Sequence, residues 1–148
     1  MSNKQSVRAL FFLLLLSILS IGLVQAQYDT ITTPAGLKYI VLQKGTGAQP
    51  VKGSKVKVHY TGRLANGKVF DTSRGAAGPF KFTIGAQEVI PGWDVGFTMM
   101  HVGEKGILII PPNLAYGPRG IPDGENPGKY IIPPNAELLF EVELISVK

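Results

Sequence analysis

The 148-residue sequence carries 15 lysines and arginines against 10 aspartates and glutamates, which gives a net charge of +5. It has no cysteine and only two histidines. Disulfides, thiol catalysis and cysteine-based metal sites are therefore excluded, and we expect neither a metal nor a cofactor. The lysines are scattered along the chain, which argues against a nucleic-acid partner.

The first 26 residues have the layout of a secretory signal peptide. Lys4 and Arg8 form a basic head, residues 9–24 are almost wholly apolar, and small or apolar residues stand one and three places before a cut after Ala26. The apolar run is shorter than the ~20 residues that a membrane-spanning helix prefers, so cleavage is favoured over an uncleaved anchor. The remaining chain would carry 13 basic and 10 acidic residues.

This layout predicts an exported protein. The sequence has no Asn-x-Ser/Thr acceptor and no retention signal of the Lys-Asp-Glu-Leu type. A location in the bacterial periplasm therefore fits better than residence in a eukaryotic secretory pathway. An inner-membrane anchored protein is the alternative if the signal stays attached, and contact with a membrane is expected only in that case.

Residues 27–36 are polar and predict a flexible leader, after which residues 37–148 are predicted to form one domain. Within this domain, several runs favour β-strands, most of them by alternating apolar and polar residues. The runs lie at 37–42, 55–60, 80–84 and 138–145. Asn66-Gly67 predicts a two-residue hairpin, and the continuous apolar run at 107–110 predicts a strand buried on both faces.

One segment breaks this period of two. Trp93, Phe97 and Met100 are spaced at i, i+4 and i+7, which predicts a helix of at most about three turns within residues 91–102. The sequence thus favours an α+β fold, with an antiparallel sheet covering one short helix. Residues 115–134 contain turn signals one after another, and a loop of this length is more often functional than idle.

Several motifs of this domain follow one another in a specific order. They are His59-Tyr60-Thr61-Gly62, Asn66 to Ser73, Pro79 to Phe82, Glu88-Val89-Ile90-Pro91-Gly92-Trp93, Gly103-Glu104-Lys105, Ala115-Tyr116-Gly117, Ile131 to Ala136 and Leu138 to Leu144. Together they strongly resemble the FKBP family of peptidyl-prolyl cis-trans isomerases, the immunophilins that bind macrolides. The resemblance runs from about residue 37 to residue 147. It implies a twisted antiparallel β-sheet wrapped around one short α-helix.

The resemblance also implies a site. Residues expected to act in catalysis are Asp71, Trp93, Tyr116 and Phe140, and residues expected to bind substrate are Tyr60, Phe70, Phe80, Val89, Ile90 and Ile132. Trp93 would form the floor under a bound proline ring. The backbone N–H of Ile90 and the hydroxyl of Tyr116 would hold substrate carbonyls.

The chain departs from the family pattern in two places. Family members often carry a basic residue five places after the aspartate, where this chain has Ala76, and Arg74 lies three places after Asp71. The loop between Gly120 and Ile131 is also longer than in compact members. These departures leave the partner of Asp71, the substrate preference and the affinity for macrolides open.

Ordinary structural explanations also exist for these residues. A lone tryptophan at helical spacing usually belongs to a core, an aspartate in a loop usually forms a turn, and Tyr60 could cap the core. Phe82 is expected in the core and Phe80 at the pocket. His59 and His101 are expected to have no chemical task, and Ser54 and Ser73 lack a nucleophile motif.

The function implied by the resemblance is prolyl isomerisation during the folding of exported proteins. The expected partners are proline-containing polypeptide clients and macrolide ligands, and the protein is expected to be a monomer. Two alternatives stay open. One is a chaperone or binding module that uses the same pocket, and the other is a structural protein with an inert domain.

Overall fold

The computed structural model describes residues 27–75 and 77–148, so the predicted signal peptide lies outside the described residues. Nine strands, one α-helix and one 3₁₀ turn follow one another in this part of the chain. In chain order they are β1 (Thr30–Thr32), β2 (Lys38–Gln43), β3 (Lys55–Leu64), β4 (Val69–Thr72), β5 (Phe80–Thr83), α1 (Pro91–Phe97), β6 (Lys105–Ile110), the 3₁₀ turn (Pro112–Leu114), β7 (Ile121–Pro122), β8 (Tyr130–Ile132) and β9 (Leu138–Val147).

Seven of these strands form one antiparallel sheet. Its order is β1-β2-β6-β9-β3-β4, and β5 pairs with β3 on the same edge as β4. The long strands β3 and β9 lie side by side from Val56 opposite Val147 to Leu64 opposite Leu138. Strands β7 and β8 form a separate two-stranded ladder. The antiparallel sheet with one short helix confirms the predicted fold class.

Helix α1 packs closely against β6, and two glycines make this approach possible. A Cβ atom on Gly92 would lie 2.5 Å from Cγ2 of Ile110, and one on Gly96 would lie 2.7 Å from Cδ1 of Leu108. Pro91 occupies the first turn, where its missing N–H costs nothing. The helix has seven residues, and none of the helices in the described ranges is long and apolar enough to cross a membrane.

The structure differs from the sequence-based expectation at β1, at β6 and in residues 115–134, where β7 and β8 pair inside the expected loop. Thr30–Thr32, inside the predicted leader, forms β1 and pairs with β2 from Thr30 opposite Ile40 to Thr32 opposite Lys38. All three residues of β1 are exposed, so the strand gains backbone hydrogen bonds without an apolar pattern. In β6, Leu108 and Ile110 are buried whereas Ile107 and Ile109 are only half-buried, so the strand is not buried equally on both faces.

Candidate active site

A cavity of about 220 Å³ opens beside helix α1, and ten residues line it. They are Tyr60, Phe70, Asp71, Phe80, Glu88, Val89, Ile90, Trp93, Tyr116 and Phe140. Nine of these were predicted from the sequence. The structure therefore brings together side chains from β3, β4, β5, β9, the start of α1 and the segment after the 3₁₀ turn.

Trp93 lines the cavity from the first turn of helix α1. It is 5 % exposed, and three neighbouring rings meet it steeply. The ring centroids of Tyr60, Phe140 and Phe80 lie 4.8, 5.2 and 6.0 Å from that of Trp93. Edge-to-face contacts of this kind are favourable for aromatic pairs and hold each ring in one orientation. The indole Nε1 is buried and has no acceptor among the described residues.

Gly62 makes room for the rings of Phe70 and Phe140, which form one wall of the cavity. It lies across from Phe140 in β9 and from Asp71 in β4. The rings of Phe70 and Phe140 meet at 90° with centroids 5.5 Å apart. A Cβ atom on Gly62 would lie 2.5 Å from Cζ of Phe70, so a larger residue would displace the wall.

Asp71 holds Tyr60 at the rim. The hydroxyl of Tyr60 donates to Oδ2 of Asp71 at 2.6 Å, and Oδ1 accepts from the backbone N–H of Thr72 at 2.8 Å. Burial, followed by the hydrogen bond to Asp71, raises the pKa of Tyr60 above its ordinary value. Tyr60 therefore stays a protonated donor to the carboxylate at neutral pH.

Two further donors face no partner. Tyr116 is 37 % exposed at the cavity, and burial, followed by the charge of Asp71, raises the pKa of its hydroxyl. Within residues 27–75 and 77–148, neither the hydroxyl of Tyr116 nor the backbone N–H of Ile90 has a hydrogen-bond partner. Ile90 immediately precedes α1. Both donors are free to meet a carbonyl oxygen of a ligand.

Arg74 does not pair with Asp71. Its Nη2 donates to Oε2 of Glu143 at 2.8 Å, and Lys105 approaches the same carboxylate at 3.8 Å. The hydrogen bond from Arg74 lowers the pKa of Glu143. The partners of Asp71 among the described residues are thus Tyr60 and Thr72.

Ile132 is not among the residues that line the cavity. It is 2 % exposed and pairs with Ile121 across the β7–β8 ladder, so its side chain belongs to the core. The prediction for Phe80 and Phe82 agrees with their placement: Phe80 is 39 % exposed at the cavity, whereas Phe82 is 4 % exposed in the core.

Two residues near the site, Glu88 and Ser73, were not among the site residues predicted from the sequence. Glu88 lines the cavity, and its Oε2 accepts from the backbone N–H of Thr83 at 2.9 Å. Ser73 is buried, and its Oγ accepts from the backbone N–H of Tyr60 at 2.9 Å while the backbone N–H of Ser73 donates to the carbonyl of Tyr60 at 3.0 Å. These contacts fix β4 and β5 beside the cavity, and only the position of Glu88 within the Glu-Val-Ile-Pro motif could have indicated it.

Comparison with known proteins decides the family. Residues 46–145 match the model described as FKBP-type peptidyl-prolyl cis-trans isomerase. The chain belongs to this family. FKBP membership confirms the predicted enzyme class, peptidyl-prolyl cis-trans isomerase, for this domain.

Relatives from several organisms support the assignment. FK506-binding protein 1 of Dictyostelium discoideum is 47 % identical over 113 residues, which cover 76 % of this chain and 99 % of that protein. FK506-binding protein 4 of the same organism is 50 % identical over 118 residues, 80 % of this chain, but the match spans only 30 % of that longer protein. The crystal structure of AtFKBP13 is 43 % identical, has a TM-score of 0.72 and is matched over 81 % of this chain and 99 % of its own.

Proposed function

We propose that this FKBP domain accelerates rotation about X-Pro bonds during the folding of exported proteins, by non-covalent stabilisation of the twisted amide in the aromatic cavity. The observation that carries the proposal is the arrangement around Trp93, where three rings stand edge-on at 4.8 to 6.0 Å above a buried floor. Such a site offers an apolar surface on which the pyrrolidine ring of a proline can pack.

The chemistry needs no bond to break. Rotation about a peptide bond has a barrier of ~18–20 kcal/mol because the planar amide is stabilised by resonance, and spontaneous X-Pro exchange takes tens to hundreds of seconds. Twisting the bond removes the resonance and makes the oxygen less polar. An apolar cavity therefore stabilises the twisted amide relative to the planar one, and this lowers the barrier to rotation. A 10⁴-fold acceleration requires about 5.5 kcal/mol of such differential stabilisation.

The polar groups orient the substrate in this proposal. The proline ring lies on Trp93, and the hydroxyl of Tyr116 and the N–H of Ile90 donate to carbonyl oxygens on either side of the rotating bond. Asp71 acts through Tyr60, which it holds against Trp93 by the 2.6 Å hydrogen bond. Phe70, Phe80, Val89 and Phe140 supply the apolar walls.

The assignment to exported clients rests on the first 26 residues. We propose that they are a signal peptide cleaved after Ala26, that residues 37–148 form the enzyme domain and that the mature protein works in the periplasm as a monomer. The basic head and the apolar run support this. Mass spectrometry of the exported protein tests it: a mature chain beginning at Gln27 is expected, and an intact N-terminus would contradict cleavage.

Macrolide binding is part of the proposal because relatives are named for FK506. Trp93 is the single tryptophan of the chain and lies at the floor of the cavity. Titration with FK506 is therefore expected to change its fluorescence to saturation. No change at saturating macrolide would contradict binding in this cavity.

A binding module that holds unfolded chains is the second candidate. Exposed apolar side chains near the long loop favour it, because Tyr130 and Ile131 of β8 are 43 % and 42 % exposed. One assay distinguishes the isomerase from the binding module: the cis-to-trans rate of an X-Pro test peptide. The wild-type protein is expected to isomerise the peptide faster than buffer does. A folded protein that binds the peptide but leaves its rate unchanged would favour the binding module.

A further inference from the structure

A second depression, of about 330 Å³, lies next to the aromatic cavity on the sheet formed by β3, β5 and β9. Its lining consists of Lys55, Val56, Lys57, Lys81, Phe82, Thr83, Glu88, Ser146 and Lys148. Four lysines thus face one acidic side chain, that of Glu88. We call this surface the lysine depression, and nothing in the isomerase mechanism uses it.

Strand pairing sets these lysines directly against one another. Lys57 and Lys81 are cross-strand partners in the β3–β5 register. Lys55 and Lys148 exchange two backbone hydrogen bonds, of 2.7 and 2.8 Å, between β3 and the end of β9. Like charges directly opposite one another destabilise an antiparallel pair. The fold therefore carries two repulsive pairs at one place.

No internal carboxylate relieves this repulsion in the part of the chain that the structure describes. There, none of the four ammonium groups forms an ion pair, whereas Lys44, Arg63, Arg74 and Lys105 each do. The one acidic side chain in the lining, that of Glu88, accepts a hydrogen bond from the backbone N–H of Thr83 at 2.9 Å. The depression thus keeps a net positive charge beside the hydroxyls of Thr83 and Ser146.

The lysine depression and the aromatic cavity share one lining residue. Glu88 lines both. Within β5, Phe80 lines the cavity while Lys81 and Phe82 line the depression, and the rings of Phe80 and Phe82 are 6.0 Å apart. An extended chain advances about 3.3 Å per residue, so a few residues are enough to pass from one to the other.

We propose that the lysine depression binds an acidic segment of the same polypeptide whose proline occupies the aromatic cavity. This proposal rests on the proposed isomerase site. Aspartate and glutamate side chains of the client would accept from the ammonium groups of Lys57 and Lys81. These contacts are equal for the planar and the twisted amide, so they lower KM and leave kcat unchanged.

The test compares X-Pro peptides that differ only in three flanking residues, which are aspartate, serine or lysine, placed before or after the proline. Wild-type protein is run beside Lys57→Gln/Lys81→Gln and a control, Lys38→Gln/Lys44→Gln, which removes two positive charges from β2 and its C-terminal end. In the wild type, one of the two aspartate peptides is expected to have a KM about fivefold below the serine peptide, as two half-exposed ion pairs would give. The Lys57→Gln/Lys81→Gln variant is expected to lose this preference, and the control to keep it.

The serine peptide separates the two proposals. A folded wild type that fails to isomerise it contradicts the proposed function. A wild type that isomerises it without favouring either aspartate peptide overturns the lysine depression alone, and so does an equal loss of preference in the control. If Lys57→Gln/Lys81→Gln does not fold, the salt dependence of the wild type provides the test. Raising the salt concentration from about 20 to 500 mM should abolish the preference for the aspartate peptide, because salt screens the ion pairs. A preference that persists at high salt would overturn the proposal. Binding to phosphatidylserine vesicles without a peptide preference would overturn the proposal in favour of a membrane.

Discussion

The hydroxyl of Tyr60 in β3 donates to Oδ2 of Asp71 in β4 at 2.6 Å, across two neighbouring strands. This bond holds the Tyr60 ring with its centroid 4.8 Å from that of Trp93. The carboxylate is itself fixed by the N–H of Thr72 at 2.8 Å. In the proposed mechanism Asp71 is therefore a positioning residue, and its effect on a substrate passes through Tyr60.

Removing this carboxylate is expected to slow isomerisation. In Asp71→Ala, kcat/KM for an X-Pro peptide should fall about tenfold, the equivalent of ~1.4 kcal/mol for a charge-assisted hydrogen bond. Asp71→Asn keeps a hydrogen-bond acceptor, so its kcat/KM should fall less. Tyr60→Phe should lower kcat/KM about as much as Asp71→Ala does. The double variant Tyr60→Phe/Asp71→Ala should lower it little further, because both substitutions remove the same hydrogen bond. Strictly additive losses would show that Asp71 acts independently of Tyr60.

The free hydroxyl at the cavity provides the second prediction. Tyr116→Phe removes a donor that has no partner among the described residues, so the loss should appear only when a substrate carbonyl needs it. We expect kcat/KM to fall about tenfold, with no loss of stability. Tyr130→Phe, which changes an exposed tyrosine outside the cavity lining, is the matched control and should match the wild type. Equal values of kcat/KM for Tyr116→Phe and Tyr130→Phe would show that the hydroxyl of Tyr116 does not contribute to the site.

Gly62 is expected to be essential to the shape of the cavity. Gly62→Ala places a Cβ atom 2.5 Å from Cζ of Phe70 and 2.8 Å from Cε1 of Phe140. Overpacking of this kind costs about 1–3 kcal/mol of unfolding free energy, and the displaced rings should also weaken peptide binding. Gly124→Ala is the control, because nothing lies within 4 Å of an added Cβ there. Denaturant unfolding checks the difference, and two equally stable variants would contradict the account.

Stability should fall at alkaline pH because of Tyr39. Its hydroxyl is fully buried and donates to Oε1 of Glu104 at 2.6 Å, and burial, followed by this bond, raises its pKa above the ordinary value. The folded state therefore keeps the phenol protonated, whereas the unfolded chain loses the proton near pH ~10. The stabilisation is fully present below that pH and decreases above it, by at most about 1.4 kcal/mol per pH unit.

Tyr39→Phe measures this contribution. Denaturant unfolding between pH 8 and 11 should show a shallower alkaline loss of unfolding free energy in Tyr39→Phe than in the wild type, together with a lower stability at neutral pH because Glu104 loses its donor. Tyr130→Phe, at an exposed position, should follow the wild type. Parallel curves for all three proteins would exclude Tyr39 as the source.

Sequence reasoning located most of the cavity because its residues lie in short motifs. Tyr60, Asp71, Ile90 and Trp93 keep their family spacing, so the resemblance placed them before any geometry was known. Ile132 was also placed by the resemblance, but here it lies in the core. In the long segment after Tyr116, the β7–β8 ladder pairs Ile132 with Ile121 and leaves it 2 % exposed.

Features that depend on strand pairing could not be predicted in this way. Strand β1 consists of three exposed residues, so no apolar period marks it. The lysine depression needs the register that sets Lys57 opposite Lys81, and the linear sequence shows these lysines only as scattered charges. Likewise, the contact of Ser73 with Tyr60 joins residues 13 positions apart and has no motif of its own.

The most direct test of the central claim is the cis-to-trans rate of an X-Pro peptide with the wild-type protein in H₂O and in D₂O. The rate with protein should exceed the rate in buffer alone. A non-covalent twist of the amide transfers no proton in the rate-limiting step, so kcat/KM should be nearly the same in both solvents. A solvent isotope effect of about 2 or more would indicate proton transfer by a general acid or base. That result would contradict catalysis by the aromatic cavity alone.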